Sequence, residues 1–230
     1  MATLLHIDAS ARSIGPAPER HRSLSRQLSQ AFVDEWLAKQ PKDFVIQRDV
    51  GLAPPPAISQ DWIEAAFTPP EQRNAEQEKA LALSNELIAE IEGADIIVLG
   101  TPMYNYGMPA ALKAWFDQVI RVDKTFTFDL ARGDFPLEPV LTSKTLVMLV
   151  SRGEFGFAPG CIREDMNHLE THIRVAARYL GVARDHLIAI EYQEFGDDRH
   201  NQSIADAFAE IPKLVGTVQA YRSTEERDDE

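Results

Sequence analysis

The chain has 230 residues, 44% hydrophobic and 26% charged, the balance of a soluble globular protein long enough to bury a core unaided. A formal net charge of −13 argues against nucleic acid and anionic membrane as partners. One cysteine, Cys161, excludes an intramolecular disulfide. No stretch approaches the roughly 18 apolar residues of a membrane-spanning helix. The start, MATLLHIDAS, has no basic region ahead of a long apolar run, so the expected location is the cytoplasm.

In chain order, a first strand is expected at TLLHID, Thr3 to Asp8. A helix follows, with Leu24, Leu28, Ala31, Phe32 and Trp36 on one face. FVIQRDV, Phe44 to Val50, is a weaker second strand, and the proline-rich stretch from Gly51 to Pro70 reads as a surface loop. Thr68-Pro69-Pro70-Glu71 has the pattern of a helix start, with a Thr cap, Pro first and Glu three residues after the cap. The helix it opens carries Leu81, Leu87, Ile88 and Ile91 and stops at Gly93. DIIVLG, Asp95 to Gly100, is the third strand, with a helix from Met108 to Val122 behind it. TLVMLVS, Thr145 to Ser151, is the fourth, followed by a helix from Glu164 to Leu180 that Gly181 ends. HLIAIE, His186 to Glu191, is the fifth, and the last helix runs from Ile204 to Tyr221. Residues 1–222 read as a single domain, and 223–230, STEERDDE, as a disordered acidic tail.

Near-continuous apolar strands are buried on both faces, and a strand–helix alternation repeated five times specifies an α/β protein with helices on both faces of a parallel sheet. Five strands suit the flavodoxin-like order 2-1-3-4-5, whose ligand lies beyond the carboxyl ends of the strands, where strands 1 and 3 part. The loops after strands 1, 3 and 4 should therefore carry the chemistry. The first holds Ser10, Ser23, Leu24 and Ser25, a set that offers hydroxyls and helix N–H groups to an anion; taken alone, Ser23 as a plain helix cap is the simpler reading. Arg20 and Arg22 in the same loop read as solvated charges that a phosphate could recruit. The loop has neither a GxGxxG nor a GxxxxGK[ST] pattern. The second loop, TPMYNYG, sets Met103, Tyr104, Asn105 and Tyr106 at the switch point, where aromatic walls suit a flat conjugated ligand and packing on neighbours or a partner chain is the alternative. The third, SRGEFGFAPG, supplies Ser151, Gly153 and one cation, Arg152. His168 and His172 stand four apart without a third ligand at metal-binding spacing, so no metal is expected. Lys113 and Asp117 read as a surface i,i+4 pair, and Cys161, with Glu164 and Asp165 close by, as a packed or idle thiol. Asp8, closing strand 1, either caps its loop or approaches the ligand.

The sequence resembles the FMN-dependent NADH:azoreductases, among the flavodoxin-like quinone reductases. The resemblance is carried by Ser10 with Ser23-Leu24-Ser25, by PMYNYGMPAALKAWFD, by TFTF (Thr125 to Phe128), by Ser151-Arg152-Gly153 and, more weakly, by ALALSNELIAEIEGAD (Ala80 to Asp95). It implies bound FMN, a homodimer with the site at the subunit interface, and NADH or NADPH as electron donor. It also implies two-electron reduction of quinones and reductive cleavage of aromatic azo compounds by a ping-pong route. On this reading Ser10 and Ser23 to Ser25 hold the FMN phosphate, Met103 to Tyr106 line the ring, and Ser151 to Gly153 lie near its pyrimidine side. The flavin N5 rather than a side chain carries the chemistry, with Arg152 in an electrostatic role. Two departures stand out: IGPAPERHR lengthens the first loop, and Glu154 occupies a position where the family has a second glycine. The Glu154 carboxylate either points away from the ring or lowers the flavin potential. The alternatives are a flavodoxin-type electron carrier without a substrate of its own and a flavin-free binding module.

Overall fold

The computed structural model describes residues 1–15 and 22–228, with side chains described as far as Arg222. Its strands are β1 (Thr3–Asp8), β2 (Phe44–Asp49), β3 (Ile96–Pro102), β4 (Phe126–Phe128), β5 (Leu137–Pro139), β6 (Lys144–Ser151) and β7 (Val182–Ile190). Its α-helices are α1 (Leu24–Lys39), α2 (Gln60–Phe67), α3 (Ala75–Glu92), α4 (Ala110–Val119), α5 (Glu170–Ala177) and α6 (Asp198–Asp228). Among the described residues, β2-β1-β3-β6-β7 form a five-stranded sheet in that order, every pair parallel. With the β4–β5 hairpin set aside, this is the expected order 2-1-3-4-5.

The apolar strands meet helices on both faces. Leu5, Ile7, Ile97, Leu99, Leu146, Met148 and Val150 pack against α3, α4 and α5 through side chains such as Leu87, Ile88, Trp115, Phe116 and Ile173. Leu4, Ile96, Val98, Val147, Leu149, Ile188 and Ile190 face the other way, onto Leu28, Phe32 and Trp36 of α1 and Ile211, Val215 and Val218 of α6. Alternate residues of one strand thus serve opposite cores, which is why these strands tolerate no polar face.

Several local expectations give way. The stretch from Gly51 to Pro70 is not all loop: Gln60–Phe67 forms α2, capped by Ser59 through Trp62 N–H at 3.2 Å, and Trp62, Ala65 and Ala66 pack on Leu81 of α3. Thr68 ends α2 rather than starting the next helix. The physical reason is the second proline, which keeps Pro69 out of helical geometry, at φ −52° and ψ 139°. Helix α3 begins six residues later at Asn74, whose side chain accepts from Gln77 N–H at 2.9 Å while the Gln77 side chain accepts from Asn74 N–H at 3.0 Å. The helix expected from Glu164 is broken: a 3-10 turn, Glu164–Met166, precedes α5, and a second, Arg178–Leu180, leads to Gly181. The β4–β5 hairpin falls where no strand was expected, because each arm is only three residues long. Helix α6 starts before Ile204 and continues to Asp228 through most of the acidic stretch. Lys113 and Asp117 form the i,i+4 ion pair, and Cys161 is exposed rather than packed.

The reciprocal cap makes a direct prediction. Asn74→Ala should cost about 1 kcal/mol of stability, and Thr68→Ala clearly less, by urea denaturation of the two variants. An equal loss would return the start of α3 to Thr68.

Candidate functional site

Strand register gathers the functional loops at one edge. Asp8 pairs with Gly100, Pro102 with Ser151, and Ser151 with Ile190, so the carboxyl ends of β1, β3, β6 and β7 finish side by side. Backbone bonds carry the alignment beyond the strands: Ala9 N–H donates to Gly100 O at 2.8 Å, Met103 N–H to Ser151 O at 2.9 Å and Arg152 N–H to Ile190 O at 2.8 Å. Beyond these ends lies a cleft of about 480 Å³, counted to its open mouth. Ser10, Ser23, Leu24, Met103, Tyr104, Ser151 and Gly153 all line it, joined by Arg12, Arg22, Pro102, Gln193 and Glu194.

A buried polar network shapes the first wall. The Arg26 guanidinium makes two hydrogen bonds to Asp49, at 2.7 and 2.6 Å, and donates to the Ser10 carbonyl at 2.7 Å. Asp8 lies 3.5 Å from the same guanidinium and accepts from the Ser29 hydroxyl at 2.9 Å, which in turn meets His6 Nε2 at 2.9 Å. Asp8 therefore faces α1 inside the fold. Gly100 is the neighbour this requires, since a Cβ there would come within 2.6 Å of both Asp8 Oδ1 and Ser29 Oγ. With the chain so held, Ser10 and Ser23 are buried beside the start of α1. Ser23 Oγ accepts from Arg26 N–H at 3.3 Å and contacts Ser25 Oγ at 3.2 Å. Ser25 is fully buried behind the cleft wall. The first N–H groups of α1 have no intrahelical acceptor and carry the positive end of its dipole. Arg20 lies outside the described residues; Arg12 and Arg22 line the cleft.

The second wall is the turn after β3. Tyr104 and Gly107 exchange hydrogen bonds, Tyr104 N–H to Gly107 O at 3.1 Å and Gly107 N–H to Tyr104 O at 3.0 Å. Between them Asn105 and Tyr106 have φ of 47° and 66°. Asn adopts this conformation readily; a tyrosine there stores on the order of 1 kcal/mol of strain. Tyr104 lines the cleft, whereas Tyr106 turns to Phe157, ring centroids 6.3 Å apart, and the negative charge of the Glu154 carboxylate raises the pKa of its phenol. Asn105 and Tyr106 stand outside the cleft lining and are both solvent-exposed.

The third wall corrects the orientation expected of Arg152. Its guanidinium is buried, not turned to the cleft: it pairs with the fully buried Glu170 and with Glu191 at 2.7 Å, and lies 5.1 Å from the Phe157 ring centroid. A buried cation needs such partners, and two carboxylates outcompete an open edge for it. Glu154 is likewise engaged, 3.0 Å from Arg163. Gly153 matters for close approach, since a Cβ there would meet Glu194 Cγ at 2.6 Å. Sequence reasoning missed Arg12, Pro102, Gln193 and Glu194. The rule that ligands sit beyond carboxyl strand ends, applied also to β7, would have found the last two.

The cleft fits a ligand that is anionic at one part and flat at another: hydroxyls, helix N–H groups and two arginines on one wall, Met103 and Tyr104 on the next. Among the described residues no group of three or more His, Cys, Asp or Glu side chains could hold a metal ion, nor is any helix long and apolar enough to cross a membrane.

Fold and site together define a flavodoxin-like α/β protein. A family model described as flavodoxin-like fold matches residues 2–215. The FMN-dependent NADH:quinone oxidoreductase 2 of Colwellia psychrerythraea is 54% identical over 94% of this chain and 98% of its own. The FMN-dependent NAD(P)H:quinone oxidoreductase 1 of Pseudomonas aeruginosa is 36% identical over 85% of this chain and 92% of its own. The chain belongs to this flavodoxin-like family of quinone oxidoreductases. A Bacillus anthracis azoreductase shares its fold with a TM-score of 0.80 at 21% identity, covering 94% of this chain and 100% of that one. A B. anthracis FMN-dependent NADH-azoreductase, solved in complex with FMN, does so with a TM-score of 0.79 at 14% identity, covering 95% and 99%.

Arg26 makes the first wall pH-dependent. Burial opposes ionisation of Asp49, but the Arg26 hydrogen bonds outweigh it and hold the pKa below the ordinary 3.8. A depressed carboxyl contributes stability that is present above its unfolded pKa and lost as pH falls through the folded one. Stability should therefore drop as pH falls below about 4, and Asp49→Asn should flatten that drop while lowering stability at pH 7. Thermal unfolding across pH 2 to 7 checks it, and parallel curves for the two proteins would remove the pair from the account.

Proposed function

We propose that this protein is an FMN-dependent NAD(P)H:quinone oxidoreductase that also cleaves aromatic azo compounds, with donor and acceptor occupying the site in turn. One observation carries the reading: a single cleft joins the serine-bearing start of α1 to the Met103–Tyr104 wall at the sheet's switch point. The names of its relatives, which are oxidoreductases, favour an enzyme over an electron carrier. When bound, FMN supplies the redox chemistry, taking two electrons from the nicotinamide and passing them to the acceptor.

The chain's own residues bind and orient. Ser10 and Ser23 to Ser25 would hold the phosphate through hydroxyls and first-turn N–H groups. Arg12 and Arg22 add local positive charge to that wall, offsetting a surface that at −13 repels anions. Met103 and Tyr104 would flank the ring, with Asn105 near its edge, and Ser151 and Gly153 would border its other side. Arg152 acts from behind. Its two carboxylate partners anchor the Ser151–Gly153 loop, and its backbone N–H and C=O bond Ile190 and Gln193. It is a positioning residue, and the flat walls suit a range of planar acceptors.

The protein is further proposed to be a cytoplasmic homodimer with the site at the subunit interface. Phe128, Leu130 and Phe135, in and beside the β4–β5 hairpin, are 54%, 76% and 85% exposed, the apolar surface a second subunit would cover.

Purified protein should carry FMN with oxidised-flavin absorbance and oxidise NADH when benzoquinone is added. A colourless protein that takes up no FMN would end this reading. Ser23→Ala should weaken FMN binding about tenfold, through a lost hydrogen bond to a charged group, and leave riboflavin, which lacks the phosphate, nearly unaffected. Equal losses for both ligands would separate Ser23 from the phosphate.

A further inference from the structure

Among the described residues that line the cleft, Glu194 is the one carboxylate. Its Cγ lies so close to Gly153 that a Cβ there would come within 2.6 Å of it. Sheet order sets it apart from the anion-binding wall, since β3 and β6 stand between β1 and β7. The other carboxylates of this edge are taken: Asp8 and Asp49 by Arg26, Glu170 and Glu191 by Arg152, Glu154 by Arg163. The Glu194 carboxylate makes no hydrogen bond or ion pair among the described residues.

The chain around Glu194 is nonetheless fixed. Its N–H donates to the Gly153 carbonyl at 2.9 Å, while Gln193 N–H donates to Arg152 O and Tyr192 N–H to Glu154 O, each at 3.2 Å. Tyr192 holds a left-handed φ of 64°. Its ring stacks on Phe155 with centroids 4.4 Å apart, and Phe195 meets both rings edge-on at 5.7 and 5.9 Å. The Arg199 guanidinium lies 5.0 Å from the Tyr192 centroid and 4.8 Å from that of Phe195. Tyr192 and Phe195 therefore anchor the loop through their rings, and Gln193 and Glu194 between them line the cleft.

A carboxylate accepts hydrogen bonds and donates none. An oxidised flavin ring has a single N–H, on N3 of its pyrimidine edge, between two carbonyls. We infer that Glu194 recognises that imide: its carboxylate accepts from N3–H, with the Gln193 amide beside it available to a flanking carbonyl. The inference rests on the flavin reading, which sets Ser151 and Gly153 along the pyrimidine side. The charge of the cleft is then divided, donors and cations toward the phosphate and one anion toward the only ring N–H. Reduction adds electron density to the ring, and a carboxylate at its edge opposes that, so Glu194 also holds the flavin potential down.

Titration of the flavin-free protein with FMN and with N3-methyl-FMN, followed by flavin fluorescence, tests the contact without turnover. The methylated flavin keeps the phosphate and lacks the N–H. Wild type should bind it about tenfold more weakly than FMN, the loss of one hydrogen bond to a charged group. Glu194→Ala should bind FMN about tenfold more weakly than wild type does and treat the two flavins nearly alike. Glu194→Gln, which keeps an acceptor and loses the charge, should retain most of the discrimination and raise the midpoint potential of bound FMN. If Glu194→Ala fails to fold, that potential decides. The same ratio of the two affinities in wild type and Glu194→Ala would overturn the inference: the methyl would then clash with the wall, or the carboxylate would meet the ribityl hydroxyls instead. An unchanged potential in Glu194→Gln would overturn it as well. Either result leaves the flavin reading intact, whereas a wild type that binds no FMN would remove that reading and this inference with it.

Discussion

The Arg26 guanidinium is the interaction on which the rest of the site depends. It is a cation with 5% of its side chain exposed, placed where α1, β1 and β2 converge. A charge so placed is tolerable only with partners, and it has three: Asp49, Asp8 and the Ser10 carbonyl. Each partner belongs to a different part of the cleft's foundation. Asp49 closes β2, Asp8 closes β1, and the Ser10 carbonyl marks where the chain leaves the sheet. Without Arg26, Asp8 and Asp49 would be left as two carboxylates at adjoining strand ends.

The far side of the cleft repeats this logic with different residues. Arg152 is enclosed by Glu170 and Glu191, so the loop after β6 is tied both to α5 and to the loop after β7. In both places an arginine that could have faced a ligand is used instead to hold backbone. The cations that line the cleft, Arg12 and Arg22, come from the long loop after β1. For a protein of net charge −13 this division matters: buried cations stabilise architecture, and the attraction for an anion falls to a few local groups and a helix terminus.

The fold was largely legible in the sequence because burial on both faces leaves a one-dimensional trace. IIVLG and LVMLVS are continuous apolar runs since alternate residues meet separate cores. The order of elements then restricted the topology, and with it the edge where a ligand sits. The errors were local. Thr68-Pro69-Pro70-Glu71 satisfies a capping pattern residue by residue, yet Pro70 keeps Pro69 extended, and only a single 3-10 turn, Pro70–Gln72, forms before α3 starts afresh at Asn74. Helix α2 was hidden because eight residues with three buried side chains give too short a period to read. Glu194 reaches the cleft only because β7 is parallel to β6 in that register.

By itself the sequence determined which segments become the five strands of the main sheet, the winding of that sheet, and hence that Ser10, Met103 and Ser151 would share an edge. Hydrophobic period and chain handedness decide those things, and both are carried by short stretches of residues. Tertiary structure alone decided where the polar side chains point. Arg152 turns inward to two glutamates that lie 18 and 39 residues further along the chain. Tyr106 leaves the cleft to Tyr104 and turns instead to the ring of Phe157, far away in sequence. A charged or hydroxylated side chain goes where its strongest partner is, and that partner is set by the folded geometry rather than by neighbours along the chain.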